Sequence, residues 1–430
     1  MPANNLLQAL GHQLRAWWQD KRLTALAAAL VAFILPLNQK AAVWALGVLG
    51  LLTLIHFRER RPKNMASFAV MVVLYGLYAG GVLYTDHPLA GHHPNTLEQK
   101  LSLIIFPVLA LFIRPMTASE RRAIVAVFAT GVTVFAVVAF AAAGLRFLES
   151  GEHGEFVYTR LVLTYHPTYM AIYACLALAF VLETIWFRQR GHWSWLLWAA
   201  GLVSFVAFIS SKAGLLSTGI LVVLLLFTHS IRSRSFGRAW MHAALLVGIL
   251  FALPRFVPGA ESRVAEFTDA IERQVDEQER NKSMARTSTQ VRFLAWQCSL
   301  ELMIEHPFGV GSDDATPALM EKYEEREEDF AYRKKLNAHN QYLETGVELG
   351  WAGLAVLLLM LALGLRQALL HRDILFQSLL FLAGFNMLFE SFLELQSGIV
   401  FLLFFWMVFA NREKADVTPP PLAAGGHALL

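Results

Sequence analysis

Twelve apolar runs divide this chain, at about 23–37, 41–57, 66–84, 101–113, 122–144, 167–187, 193–210, 214–229, 239–254, 340–364, 373–388 and 397–410. Crossing the hydrocarbon core of a bilayer takes roughly 20 residues of helix. In lipid, a spanning backbone must satisfy its own hydrogen bonds, which helices do. Charged residues make up 16% of the 430 and hydrophobic residues 56%, whereas a soluble domain carries about a quarter charged. The pattern predicts an all-α polytopic membrane protein with about 12 transmembrane helices. The run at 101–113 is short and either extends into 97–101 or spans only partly. The first run follows Lys21-Arg22 as a signal sequence would. A second apolar run comes at once and no cleavage site intervenes, so it reads as a retained span.

Orientation follows from Lys and Arg in the short loops. With the N-terminus in the cytoplasm, the cytoplasmic loops hold Arg15, Lys21, Arg22, Arg58, Arg60, Arg61, Lys63, Arg114, Arg121, Arg122, Arg188, Arg190, Arg232, Arg234, Arg238, Arg366, Arg372, Arg412 and Lys414. The opposite short loops hold Lys40, Lys100, Arg146, Arg160 and Lys212. An even number of spans returns the C-terminus to the cytoplasm. By span parity the polar segment 255–338 is external. The domain reading is therefore spans one to nine over 1–254, an external helical cap over 255–338, spans ten to twelve over 339–412, and a disordered Pro/Gly/Ala-rich tail over 413–430.

Within the cap, 262–280 reads as a helix dense in both charge signs. Thr287–Glu305 reads as a second, with Val291, Leu294, Ala295, Cys298 and Leu302 along one side and Arg292, Trp296 and Ser299 beside them. Pro307 ends it, and a Gly-rich turn follows to Asp314. Thr316–Lys335 reads as a third, charged helix. A net charge of +3 gives no nucleic-acid signal, and two cysteines suggest neither a disulfide framework nor a zinc site.

Candidate site residues gather on the external face. His339 stands where the polar segment meets span ten. The helix dipole and Arg333, Lys334 and Lys335 disfavour a second positive charge there, so a neutral imidazole is expected. Such a ring serves as a general base or caps the helix. Arg292 offers a planar fork suited to phosphate, or pairs with a nearby acid. Lys212 and Arg160 break the charge rule near membrane depth, where a cation is costly. Each is a functional candidate or snorkels, and snorkelling is the expectation for Lys40 and Lys100. His166 and Tyr169, opening span six, form a second polar edge of the same site or an aromatic belt. Glu390 and Glu394 bind hydroxyls, counter the cations or form a solvated loop edge. Asp313-Asp314 is too weak a pair to predict a metal, and none is expected.

Four motifs carry a resemblance. His166-Pro167-Thr168-Tyr169 opens a span, Ser211-Lys212-Ala213-Gly214 links two spans, His306-Pro307-Phe308-Gly309-Val310-Gly311 lies in the external segment, and His339-Asn340-Gln341-Tyr342-Leu343 opens the next span. In this order, with one long external segment late in the chain, they resemble the O-antigen ligase family. That family sits in a wider group with O-antigen polymerases and bacterial O-linked oligosaccharyltransferases. The resemblance implies a Gram-negative inner-membrane enzyme with its active site on the periplasmic face. Its donor would be an O-antigen polysaccharide on undecaprenyl pyrophosphate and its acceptor a hydroxyl of lipid A–core. Transfer would invert the sugar and need no metal, nucleotide or other cofactor. On this chain His339 matches the catalytic histidine, and Arg292 and Lys212 match positions expected to contact pyrophosphate. Arg160 is grouped with that clamp; His166, Tyr169, Asn340, Tyr342 and Glu390 are grouped as substrate-binding. Many relatives carry Arg where this chain has Lys212, which keeps the charge and loses the bidentate fork. Two other readings stay open: a polymerase of the same group, and a twelve-span transporter. Few ionisable groups at mid-depth and no evident inverted repeat speak against the transporter.

Overall fold

The computed structural model describes residues 22–55, 66–85, 96–162, 164–189, 192–233, 237–252 and 288–412. The expected helix at 262–280 and the tail at 413–430 lie outside these residues. Among the described residues the chain is helical, with no strand. The helices are α1 Arg22–Ile34, α2 Gln39–Ile55, α3 Ala66–Gly81, α4 Thr96–Lys100, α5 Ser102–Phe112, α6 Ala118–Ser150, α7 Tyr158–Val162, α8 Pro167–Leu182 and α9 Trp193–Ile209. There follow α10 Lys212–Ser233, α11 Gly237–Ala252, α12 Ser288–Glu305, α13 Ala315–Glu325, α14 Asp329–Arg333, α15 Gln341–Leu370, α16 Ile374–Asn386 and α17 Gln396–Ala410. Each of the twelve apolar runs falls on a helix. Five are long and apolar enough to cross a membrane: Ala66–Tyr84, Ala118–Ser150, Pro167–Phe187, Lys212–Arg232 and Gln341–Leu370. Six shorter apolar helices accompany them.

Two helices have no polar face and form the centre. All of α8 is buried, as is α17 from Ser397 to Ala410. Aromatic rings lock them to each other and to α6: Tyr173 stacks on Phe401 at 4.7 Å, and Phe128 meets Phe405 edge-on at 4.9 Å. Helix α8 packs against α6, α9, α10 and α16. The outward faces are apolar too, with Trp44 80% and Leu148 81% exposed. A surface of that kind is what lipid tails solvate.

Residues 288–336 build a second, smaller core. The stripe read from the sequence is its inner face: Leu294, Ala295, Cys298 and Leu302 are buried together with Leu319, Tyr323 and Ala331. This cluster rests on Val347 in the second turn of α15. The expected single helix over 316–335 is two. After α13, Glu327 turns left-handed (φ 56°), the Glu328 N–H donates to Tyr323 O at 2.8 Å, and the Glu327 N–H donates to Glu324 O at 3.0 Å. This is a Schellman stop without a glycine. The run of like-charged Glu side chains around it offers the helix little reason to continue.

The Gly-rich turn is held by a break in α15. At Gly350 (φ 64°, ψ −162°) the helix kinks, so the carbonyls of Val347 and Glu348 are released from the helix ladder. They accept the N–H groups of Val310 (2.9 Å) and Gly311 (3.1 Å), while the Trp351 N–H donates to Pro307 O at 3.1 Å. Ser312 Oγ donates to Tyr78 O at 2.6 Å, which ties the same turn to α3.

Candidate active site

His339 lies between α14 and α15 in a left-handed backbone conformation (φ 47°). The helix cap is supplied by its neighbour: Asn340 Oδ1 accepts the N–H groups of Tyr342 (2.9 Å) and Leu343 (3.2 Å). The His339 ring is therefore not the cap. Burial holds its pKa below the ordinary histidine value; Glu390 opposes the shift, and Arg292 and His166 add to it. The neutral form expected from the sequence is thus supported, but for another reason. Arg333, Lys334 and Lys335, the cations invoked there, are exposed.

Arg292, on α12, reaches the loop between α16 and α17, where its Nη2 donates to Glu390 Oε1 at 3.1 Å. Glu390 is buried and Arg292 half-buried. Glu390 Oε1 also accepts from Thr168 Oγ1 at 3.2 Å. Thr168 in turn lies 3.1 Å from Ser211 Oγ. Ser211 accepts the Gly214 N–H at 3.3 Å and begins α10 at Lys212. Ser210 permits this tight entry by closing α9 in the left-handed region (φ 51°). A side chain at Gly214 would meet Ala171 at 2.5 Å, so the glycine lets α10 close on α8 beside the site. Four segments thus converge: the starts of α8 and α10, the α12 face, and the α16–α17 loop. Lys212 is half-buried at this junction.

The remaining candidates separate. His166 is exposed and near enough to His339 to act on its charge. Tyr169 is buried against Phe392, and its hydroxyl finds no hydrogen-bond partner in the protein. Arg292 Nε and Trp296 Nε1 are likewise buried without a partner. Unpaired buried donors beside a guanidinium favour an anionic or hydroxyl-rich ligand. Tyr342 donates its hydroxyl to Gly384 O at 2.8 Å, and Asn340 is engaged as the cap. Both shape the loop that carries His339. Arg160 is exposed and pairs with Glu152 and Glu155 at the end of α6. No described hydrogen bond or ion pair joins it to Arg292, Glu390 or His339.

One polar group escaped the sequence reading. Lys100 does not snorkel: it is fully buried, paired with Glu394, and its Nζ sits 5.1 Å from the Tyr78 ring centre. Buried Glu344 and Glu348 lie on the first turns of α15 near this pair. A buried cation persists where carboxylates compensate it. Their i,i+4 spacing inside an apolar span was the available signal, since ionisable groups there are functional candidates.

Residues 199–358 match the family model described as O-antigen ligase. The matched stretch contains Lys212, Arg292, His339, Asn340 and Tyr342, while Arg160, His166, Tyr169 and Glu390 lie outside it. No curated protein matches the chain.

Proposed function

We propose, from the match of residues 199–358 to the family model described as O-antigen ligase, that this chain is an inverting, metal-independent glycosyltransferase. It moves O-antigen polysaccharide from undecaprenyl pyrophosphate to a hydroxyl of lipid A–core at the outer face of the inner membrane. One observation carries the reading: His339, whose charged form burial disfavours, lies within electrostatic reach of Arg292, whose buried Nε has no protein partner.

His339 takes the proton of the acceptor hydroxyl as that oxygen attacks the anomeric carbon. The bond from that carbon to the pyrophosphate oxygen breaks, and the electron pair leaves with the pyrophosphate. A positioned base contributes about 10² to 10⁴ in rate. Arg292 and Lys212 stabilise the charge growing on the leaving group, a contribution on the order of 10² to 10³ for each well-placed donor. Glu390 keeps Arg292 extended toward the site before the donor arrives. As phosphate engages the guanidinium, Glu390 remains close to His339 and stabilises the imidazolium that forms. The twelve helices are proposed to cross the bilayer, with 288–336 as a periplasmic cap. Both lipid substrates then enter sideways from the outer leaflet.

Purified lipid-linked donor and lipid A–core test this directly. His339→Ala should lose transfer while inserting normally, and normal ligation by that variant overturns the base assignment. Arg292→Ala or Lys212→Ala should weaken donor use. Activity lost to EDTA would argue for a metal. A deletion strain that accumulates lipid-linked polymer and bare core identifies a ligase, whereas core carrying a single repeat identifies a polymerase.

A further inference from the structure

Glu344 has no part in the chemistry above, yet it touches both segments that carry it. Its side chain is buried in the first turn of α15. One oxygen, Oε2, accepts the Ala338 N–H at 2.9 Å and the Ser391 hydroxyl at 3.0 Å. Ala338 immediately precedes His339, and Ser391 immediately follows Glu390. A single atom therefore ties the segment bearing the histidine to the loop that holds Arg292 by its carboxylate. Two further bonds run alongside: the Gln341 N–H donates to Met387 O at 2.8 Å, and the Leu393 N–H donates to Gln341 Oε1 at 2.6 Å.

The backbone of His339 needs such an anchor. A histidine at φ 47° occupies a sparsely populated region. Conformations of this kind persist where the surroundings over-determine them, and they cluster at functional sites. Here the residue before is held by Glu344 and the residue after is held as the cap of α15. Lys100, itself paired with Glu394, lies near this buried carboxylate.

Building on the transfer reading above, we propose that Glu344 is a positioning residue: its Oε2 clips the His339 segment to the Glu390 loop and sets the distance between the base and the pyrophosphate clamp. A displacement on the order of 1 Å at such a site costs about 10²-fold in rate.

The clip is tested with Glu344→Ala, Glu344→Gln and Ser391→Ala in the full chain. The glutamine amide oxygen can accept both bonds; alanine accepts neither. Glu344→Ala should lower kcat by about 10²-fold, with the donor KM within about threefold. It should also raise hydrogen exchange at the amides of Ala338 and His339. The acid limb of its pH–rate profile should move toward the ordinary histidine range as the ring becomes wetter. A merely structural role would lower the folded fraction and leave that limb in place. Glu344→Gln should rescue turnover, exchange and limb together. Ser391→Ala, which removes one bond and little volume, should loosen the 387–393 amides with a smaller loss of kcat, and it serves if Glu344→Ala does not fold. Unchanged exchange at Ala338 in Glu344→Ala, unchanged turnover despite faster exchange, or failure of glutamine to rescue each overturns the clip. An active His339→Ala variant would instead sink the base reading, and the exchange data would still decide the clip.

Discussion

A histidine serves as a base only while it holds no proton, so the pH at which His339 charges sets the acid limit of the proposed reaction. Burial, Arg292 and His166 all disfavour the imidazolium, and only Glu390 favours it. Activity should therefore persist below the ordinary histidine range, about 6.5, and fall only as pH drops through the lowered value. Glu390→Gln removes the one favourable charge and should carry the acid limb lower still. A limb moving upward in that variant would contradict the arrangement. The sign for stability agrees. Below the ordinary range the unfolded chain binds this proton more tightly than the folded one, so the folded state loses stability there as pH falls. Thermal unfolding in detergent across that range measures it. At this scale much was legible beforehand. His339, Arg292 and Glu390 stand out by residue type and by the external face that span parity assigns them. Their coupling through Thr168 and Ser211 does not, because it joins residues far apart in the chain whose small hydroxyls announce nothing on their own. Arg160 had the same signal as Lys212, a cation against the charge rule. It was drawn to local acids, Glu152 and Glu155, which lie in its own loop.

The elements show where pattern reading succeeds and where it stops. Among the described residues, apolar periodicity finds every apolar helix and the buried side of α12, because burial acts on side chains in register along one element. It misses the ends. The stop after α13 is made by a left-handed glutamate, and a second left-handed residue, Lys335 (φ 48°), stops α14. In both, the backbone closes on itself with the Schellman pair of hydrogen bonds, so no glycine marks the sequence. The opposite case is α15, where two glycines do carry the geometry. A Cβ on Gly350 would lie 2.2 Å from Pro307 O, and one on Gly309 would lie 2.3 Å from Glu348 O, both at positive φ. Neither obstacle is a side chain that could turn aside. Gly350→Ala should therefore cost on the order of 3 kcal/mol and loosen the 307–311 turn, whereas Gly201→Ala, with open space around it on α9, should be close to neutral. Equal melting temperatures for the two variants would refute the kink as the anchor of the turn.

Across the whole molecule, the contacts separate two ends. At one end Arg412 pairs with Asp373, Asn411 Nδ2 donates to Ile113 O at 2.8 Å, and Arg122 and Arg188 both meet Glu183. At the other end stand Arg292, Glu390, Thr168, Ser211 and His339. Long helices run between them: α6 leaves the first end near Thr117 and α8 returns from the second. The Lys and Arg count in the short loops assigns the first end to the cytoplasm. Contacts separate the two ends but do not say which faces the cytoplasm; a cytoplasmic first end and an external second one is the proposal that the charge count makes. The orientation can be read with single cysteines, since Cys175 and Cys298 are both buried and contribute little background. Ser150 and Glu321 are exposed beside the proposed outer face and Gln189 beside the inner one. With a membrane-impermeant maleimide on spheroplasts, Ser150→Cys and Glu321→Cys should label at once, and Gln189→Cys only after lysis. Ser150 and Gln189 are separated by one crossing of α8, so labelling of both from the same side would remove that crossing. Labelling of Gln189→Cys alone would invert the protein and put His339 and Arg292 on the cytoplasmic face, where a donor held in the outer leaflet could not reach them.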